Sequence, residues 1–282
     1  MSSFIFLPLL RECAETKKKK TKGELHITQK YSYKDWKAFV NLSYEDKLMW
    51  SKQLIASTLK LNKKPVVCLS WGKDSIVMLH LIRQYCKNTY VIFANTLIEY
   101  PETYKYRDMM LKEHFTDLNY FETKPIKQFG ECVKLYGYPH KRMTAEDNTS
   151  KRQPKCCIYL KEKPLDNKIK ELGCDVEFIG LQTTESMNRR RLFMRMGAYY
   201  HNKSRKINVC LPLAIWNDKD IKRYAQENNI PLNPLYKIMN RTGCMFCTGF
   251  LKWREVMAKY NKKLYVGIML KKEGQEILKE CY

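Results

Sequence analysis

The chain has 282 residues, 44% of them hydrophobic and 29% charged, which suits a globular protein of one large α/β core with additions or of two domains. No apolar run approaches the roughly 20 residues of a membrane span, and Phe4 to Leu10 (FIFLPLL) is short, contains Pro8 and lacks a preceding basic stretch, so no secretory signal is expected and the protein is placed in the cytoplasm, away from membranes. The 52 basic and 29 acidic residues leave a net charge of +23, which points to a polyanionic partner, and eleven cysteines without a secretion signal argue for metal or redox chemistry over a disulfide framework.

In chain order, residues 1–30 show no persuasive period and read as a basic arm, with charge concentrated at Lys17 to Lys20 and Lys22. A helix is predicted over 44–61, with Leu48, Leu54, Ile55 and Leu59 on its apolar side. Strand 65–69, helix 75–86, strand 90–96, helix 101–115 and strand 118–123 then alternate, which implies parallel strands joined by right-handed helical crossovers. Residues 137–155 are polar, rich in turn formers and without period, and read as a mobile loop. Beyond them come helix 161–172, strand 176–181, a short strand near Val209, and helix 218–229, capped by Asn217 and stopped at Ile230-Pro231. Two weaker helices, 252–260 and 264–280, close the chain, and there is no internal repeat.

The stretch VVCLSWGKDSIVMLHLI, Val66 to Ile82, places a polar turn between a buried strand and an amphipathic helix. There Gly72 lets the backbone approach a ligand, the helix presents free N–H groups and the positive end of its dipole, Ser70 and Ser75 add hydroxyls, and Lys73 adds a point charge suited to phosphate. A Walker A loop would need a glycine five residues before Gly72, where Val67 stands. The plainer reading is a tight turn whose helix is capped by Asp74 or Ser75. Ligands of such sheets bind beyond the carboxyl ends of the strands, where Asn95 and Thr96 also fall.

Four cysteines form two close pairs, Cys156-Cys157 and Cys244-x-x-Cys247, the second flanked by Gly243 and Gly249. A Cys-x-x-Cys knuckle directs two thiolates at one metal centre, and a second pair supplies the remaining ligands. Adjacent cysteines chelate one tetrahedral zinc awkwardly, whereas each iron of a cubane takes its own sulfur; the geometry favours an iron–sulfur cluster, with zinc as the alternative. Cys13, Cys68, Cys86, Cys132, Cys174 and Cys210 read as small buried hydrophobes.

These residues resemble a known group. LSWGKDSIVMLHL is similar to the PP-loop, Ser-x-Gly-x-Asp-Ser, of the ATP pyrophosphatases; CCIYLKEKPL resembles the Cys-Cys-x-x-x-Lys-x-x-Pro-Leu element of the phosphoadenosine and adenosine phosphosulfate (PAPS and APS) reductases; PLAIWNDKDIKRYAQENNIPLNPLY resembles their Pro-Leu-x-x-Trp helix and Asn-Pro-Leu-Tyr tail. The resemblance spans about 63–250 with the motifs in family order. It implies a doubly wound, mostly parallel α/β sheet of the adenine nucleotide alpha hydrolase type with helical N- and C-terminal extensions: a basic arm and helix over 1–61, a PP-loop nucleotide-binding domain over 62–240, and a Cys-x-x-Cys knuckle with helices over 241–282. It implies that Ser70, Gly72, Lys73, Asp74 and Ser75 bind nucleotide phosphates, that Asn95 and Thr96 meet adenosine, that Glu185, Ser186, Arg189 and Arg190 face the active site, and that Cys156, Cys157, Cys244 and Cys247 hold a 4Fe-4S cluster. For the arginines, an exposed basic patch is the alternative.

Two departures shape the expected function. Reductases of the family carry a Glu-Cys-Gly-(Leu/Ile)-His tail, where this sequence reads Glu280-Cys281-Tyr282, and their loops lack Gly-Lys-Asp-Ser, which this loop retains. The combination resembles the ATP-pyrophosphatase component of DNA phosphorothioation systems and the PP-loop thiolases of tRNA. The leading expectation is an enzyme that binds ATP with Mg²⁺, releases pyrophosphate and activates a substrate for sulfur transfer on nucleic acid, DNA or tRNA; Lys73, Asp74, Ser75, Arg189 and Arg190 are its expected catalytic set. A sulfur donor such as a cysteine desulfurase and a homodimer are further expectations. The alternatives are an APS or PAPS reductase forming sulfite, with Cys281 as nucleophile, and a non-catalytic nucleic-acid-binding module built on a metal knuckle.

Overall fold

A computed structural model describes residues 30–139, 155–248 and 252–280. The basic arm, nearly all of the 137–155 loop, Cys13 and Cys281 fall outside these residues.

Six strands form one sheet in the order β3-β2-β1-β4-β6-β5: β1 Pro65–Leu69, β2 Tyr90–Ala94, β3 Asn119–Thr123, β4 Val176–Ile179, β5 Tyr199–Asn202 and β6 Ile207–Cys210. All neighbours pair in parallel except β5, which runs antiparallel to β6 at the edge. The sheet is therefore mostly parallel and doubly wound, as expected. Alternate residues of the central strands feed opposite faces. Val67, Leu69, Val91 and Phe93 join the large core, while Val66 and Ile92 join a smaller one with Ile169 and Ile207.

The helices on the large-core side include two that precede the sheet. α1 (Tyr33–Val40) starts at a reciprocal cap, in which Ser32 N–H donates to Asp35 and Asp35 N–H donates to Ser32 Oγ. α2 (Tyr44–Leu61) is capped by Ser43. Both are fastened to the main core through Trp36, Tyr44, Trp50, Leu54 and Ile55. α3 (Lys73–Arg83), α4 (Pro101–Glu113) and α5 (Phe129–Tyr136) follow their strands, with α5 ended by Gly137.

The next helix begins as α6 (Lys155–Cys157), passes through a π-helical turn, Ile158–Glu162, and becomes α7 (Lys163–Leu172). α8 (Met187–Met196), α9 (Asp218–Glu227, capped by Asn217), α10 (Trp253–Tyr260) and α11 (Lys262–Glu280) complete the set. A second apolar cluster gathers Trp253, Met257 and Ile268 of the last two helices with Tyr100, Leu235 and Met239. No helix among the described residues is long and apolar enough to cross a membrane.

Candidate functional site

β1 delivers the chain to Ser70, and α3 starts three residues later. Trp71 makes the turn in a left-handed conformation, φ 56°, with its indole fully buried among Phe93, Tyr106 and Tyr120. Gly72 is the helix cap and no side chain bonds there, so the cap expected at Asp74 or Ser75 is replaced by a bare helix start, with those residues inside the first turn. A Cβ on Gly72 would stand 2.9 Å from the Tyr236 hydroxyl and 3.3 Å from Ser70 Oγ and Thr242 Oγ1. Gly180, just after β4, serves close approach too: a Cβ there would come within 3.1 Å of the backbone of Asp74 and Ser75.

Ser75 holds the turn together. Its Oγ accepts from Ser70 N–H at 3.2 Å, donates to the Gly72 carbonyl at 3.0 Å, and lies 3.1 Å from Ser70 Oγ. Lys73 is 4% exposed, and its Nζ lies 2.9 Å from Asp218, 3.1 Å from Asp74 and 3.9 Å from Glu185. Its backbone N–H donates to the Tyr236 hydroxyl at 3.1 Å, and its ammonium sits 5.5 Å from that ring. Burial alone would lower the Lys73 pKa, but Asp74 and Asp218 outweigh it and raise the value. Burial raises the Asp74 carboxyl against the pull of Lys73 and of Gln182, whose Nε2 donates to it at 2.5 Å.

Arg189 pairs with Glu185, and its pKa is lowered by burial and by the neighbouring Arg241. Lys73 and Arg189 thus share the Glu185 carboxylate, with Arg241 close enough to Arg189 to act on it as a like charge. Two expected positions are engaged otherwise. The Ser186 hydroxyl caps α8 by accepting from Arg189 N–H at 3.3 Å. Arg190, one residue on and so rotated about the helix, lies over Trp36 at 4.1 Å and Tyr33 at 5.5 Å on α1.

The carboxyl end of β2 leads to a second centre. Asn95 donates to Glu122 at 2.9 Å and accepts from Tyr104 at 2.9 Å and from Leu97 N–H at 3.0 Å. Thr96 donates to buried Glu99 at 2.9 Å, and the Cys244 thiol lies 3.6 Å from Thr96 and 3.9 Å from Glu99. A backbone bridge pairs Glu99 with Cys244, and Lys161 reaches Glu99 at 3.4 Å. Thr96 therefore faces the cysteine side.

The structure brings all four expected cysteines within electrostatic reach of one another. Cys157, through a hydrogen bond, and then burial push the Cys156 thiol far up, with Cys247 and Cys244 adding to it; burial pushes Cys244 up to about 11. Among the described residues, however, no three Cys, His, Asp or Glu side chains form a group able to hold a metal ion. The thiols bond to separate partners, Cys156 with Cys157 and Cys244 with Thr96 and Glu99. As donors, four thiols on two segments match a cluster with one sulfur per iron better than a single zinc ion. Toward Mg²⁺, the donors at hand are the Asp74 carboxylate and Gln182 Oε1, a buried oxygen with no hydrogen-bond partner.

Glu99, Lys161, Gln182, Asp218 and Tyr236 were not singled out from the sequence. Lys161 and Tyr236 lie inside quoted motifs and Asp218 opens a predicted helix, so their positions were visible and their roles were not.

A parallel sheet with an uncapped helix start and a buried ammonium at its carboxyl edge defines an α/β protein of the nucleotide-binding type. Residues 64–250 match the family model described as the phosphoadenosine phosphosulfate reductase domain, and the chain belongs to that family. It is 30% identical over 224 residues to the adenosine 5'-phosphosulfate reductase of Bacillus mycoides (strain KBAB4), covering 77% of this chain and 88% of the relative. Among solved structures, it is similar in fold to the phosphoadenylyl-sulfate reductase of Candida auris in its phosphate complex, with TM-score 0.51, 20% identity, and 80% and 98% of the two chains covered. It is also similar in fold to Candida glabrata FMN adenylyltransferase with FAD and inorganic pyrophosphate, with TM-score 0.51, 11% identity, and 74% and 68% covered.

Proposed function

We propose that this family member binds ATP, cleaves it between the α and β phosphates, and thereby activates an oxygen of a nucleic-acid substrate for replacement by sulfur. The observation that carries the reading is the intact Gly72-Lys73-Asp74-Ser75 turn, with Lys73 buried at a bare helix start beside Arg189 and Arg241. The substrate oxygen attacks the α phosphorus, the bond to the bridging oxygen breaks, and pyrophosphate leaves. Lys73, the α3 dipole and Arg189 offset the charge developing on that leaving group. Exchange of carboxylate partners for phosphate frees Asp74 and Asp218 at the moment the nucleotide arrives. Asp74 and Gln182 would hold Mg²⁺, which when bound supplies further charge neutralisation to the phosphates.

Sulfide-level sulfur then attacks the activated atom of the nucleic acid and AMP leaves carrying the substrate oxygen; where the donor hands over a persulfide, a thiol reductant supplies the two electrons that release the product sulfur. Cys156, Cys157, Cys244 and Cys247 would hold an iron–sulfur cluster, which when bound supplies a site for the incoming sulfur or tunes its chemistry. A sulfur donor such as a cysteine desulfurase, a homodimeric state and a cytoplasmic setting complete the reading. Anaerobically purified full-length protein, supplied with ATP, Mg²⁺ and bulk tRNA or DNA, is expected to release pyrophosphate; no release with any acceptor overturns the reading.

The 30% identity to an APS reductase favours a second reading, thiol-dependent reduction of APS or PAPS. Sulfite formed from APS with thioredoxin, without ATP turnover, would establish it in place of the first.

A further inference from the structure

Beside the cysteines lies a surface that neither reading above uses. Tyr136, at the end of α5, and Tyr159, in the π turn, stack with ring centroids 6.0 Å apart and planes within 5° of parallel. The Tyr136 hydroxyl donates to that of Tyr159 at 3.4 Å, and Ile126 N–H donates to the Tyr159 carbonyl at 3.0 Å, which fixes the backbone beneath the Tyr159 ring. Three lysines surround the pair: Lys155 lies 4.8 Å from the Tyr136 centroid, and Lys163 and Lys127 lie 5.0 and 5.7 Å from that of Tyr159. The nearby carboxylate Glu131 is engaged as the cap of α5, accepting from Gln128 N–H at 2.7 Å.

We propose that the Tyr136–Tyr159 stack with Lys127, Lys155 and Lys163 is a docking platform for single-stranded nucleic acid. Proteins that hold single strands combine aromatic faces, on which any base stacks, with cations that follow the phosphates. Both are present here at one place, in a chain of net charge +23. The ammonium groups now resting over the rings are at the ends of flexible stems; a base takes over the ring face while the displaced ammonium takes a phosphate. Tyr159 lies within one helical turn of Cys156 and Cys157, so the platform adjoins the segment that carries the first cysteine pair. Two turns back along α5, Phe129 stacks on Phe246, between Cys244 and Cys247, at 5.8 Å, which ties the helix that carries Tyr136 to the second cysteine pair.

The partner class rests on the nucleic-acid reading above, and the test separates the two. Fluorescently labelled single-stranded DNA and RNA of mixed sequence, about 12 nucleotides long to match typical site sizes, are titrated with full-length protein at several salt concentrations. Wild type binds; Tyr136→Ala with Tyr159→Ala weakens affinity at least tenfold, while Tyr136→Phe with Tyr159→Phe keeps it, since stacking needs the ring and not the hydroxyl. Replacing Lys127, Lys155 and Lys163 together by Gln lowers the slope of log affinity on log salt by about 2, at roughly 0.7 per phosphate on a single strand. Circular dichroism confirms that the variants fold. Unchanged affinity and slope in folded variants overturns the platform, whether or not wild type turns over ATP; loss of thioredoxin docking with oligonucleotide binding intact overturns it in favour of a protein partner. If wild type lacks ATP turnover but the platform variants lose oligonucleotide binding, the platform stands and the enzymatic reading fails.

Discussion

Lys73 is the residue on which the site's charge balance turns. Its ammonium is buried and lies against Asp74, Asp218 and Glu185, which compensate a charge that would be far more costly there than in water. For the proposed reaction, Lys73→Met is expected to reduce ATP-dependent pyrophosphate release by on the order of a hundredfold or more, measured as kcat/KM under anoxia. Gly72→Ala puts a methyl group 2.9 Å from the Tyr236 hydroxyl, so it should raise KM for the nucleotide while leaving the folded state intact by circular dichroism. The turn itself was legible because a buried strand and an amphipathic helix bracket it within seventeen residues, Val66 to Ile82. Its partners were not. Gln182, Asp218 and Tyr236 come from segments a hundred or more residues away, and only the placement of β4 beside β1 brings the first of them to Asp74.

At the scale of elements, α3 carries a pH dependence. His80 lies within hydrogen-bond reach of Tyr224, at 2.8 Å, and burial, with Arg83 adding, lowers its pKa below the ordinary 6.5. The unfolded chain therefore binds the proton more readily, so stability is complete above pH 6.5 and declines as pH falls through that value toward the folded pKa. The urea midpoint should fall on acidification across that window, and His80→Gln should flatten the dependence. On β4, Glu177 is buried, accepts from the Cys68 thiol at 2.8 Å and pairs with Arg205. Arg205→Met leaves that carboxylate without a cationic partner, held only by the Cys68 thiol, and should cost about 3 kcal/mol in equilibrium unfolding. The strongly periodic elements were readable to within a few residues, as with 44–61 and 65–69. Those that escaped were short or weakly patterned: α1 and α5 are only eight residues long, α8 opens with three consecutive arginines after Met187-Asn188, and β5 is the polar edge strand Tyr-Tyr-His-Asn. The π turn also moved the start of the helix expected at 161 back to Lys155, which places Cys156 and Cys157 on helical backbone.

Across the whole molecule, the last two helices are joined to the cysteine segment. The Trp253 indole N–H donates to the Met245 carbonyl at 2.8 Å, and its ring anchors the cluster shared with Tyr100 and Leu235. Trp253→Ala is expected to cost about 3–5 kcal/mol and to expose the C-terminal helices to limited proteolysis while the sheet core survives. Unchanged proteolysis would show that Trp253 does not hold that region.

The left-handed Trp71 has a consequence for how a ligand enters. Its backbone conformation carries a cost of about 1–2 kcal/mol, and the indole locked among Phe93, Tyr106 and Tyr120 keeps it there. The turn that follows is consequently set before anything arrives, with the Lys73 N–H already on the Tyr236 hydroxyl, and the guest does not have to order the chain. Titration calorimetry with an adenine nucleotide should accordingly give a heat-capacity change no larger than the guest's own apolar surface accounts for, the thermal mark of a rigid receptacle.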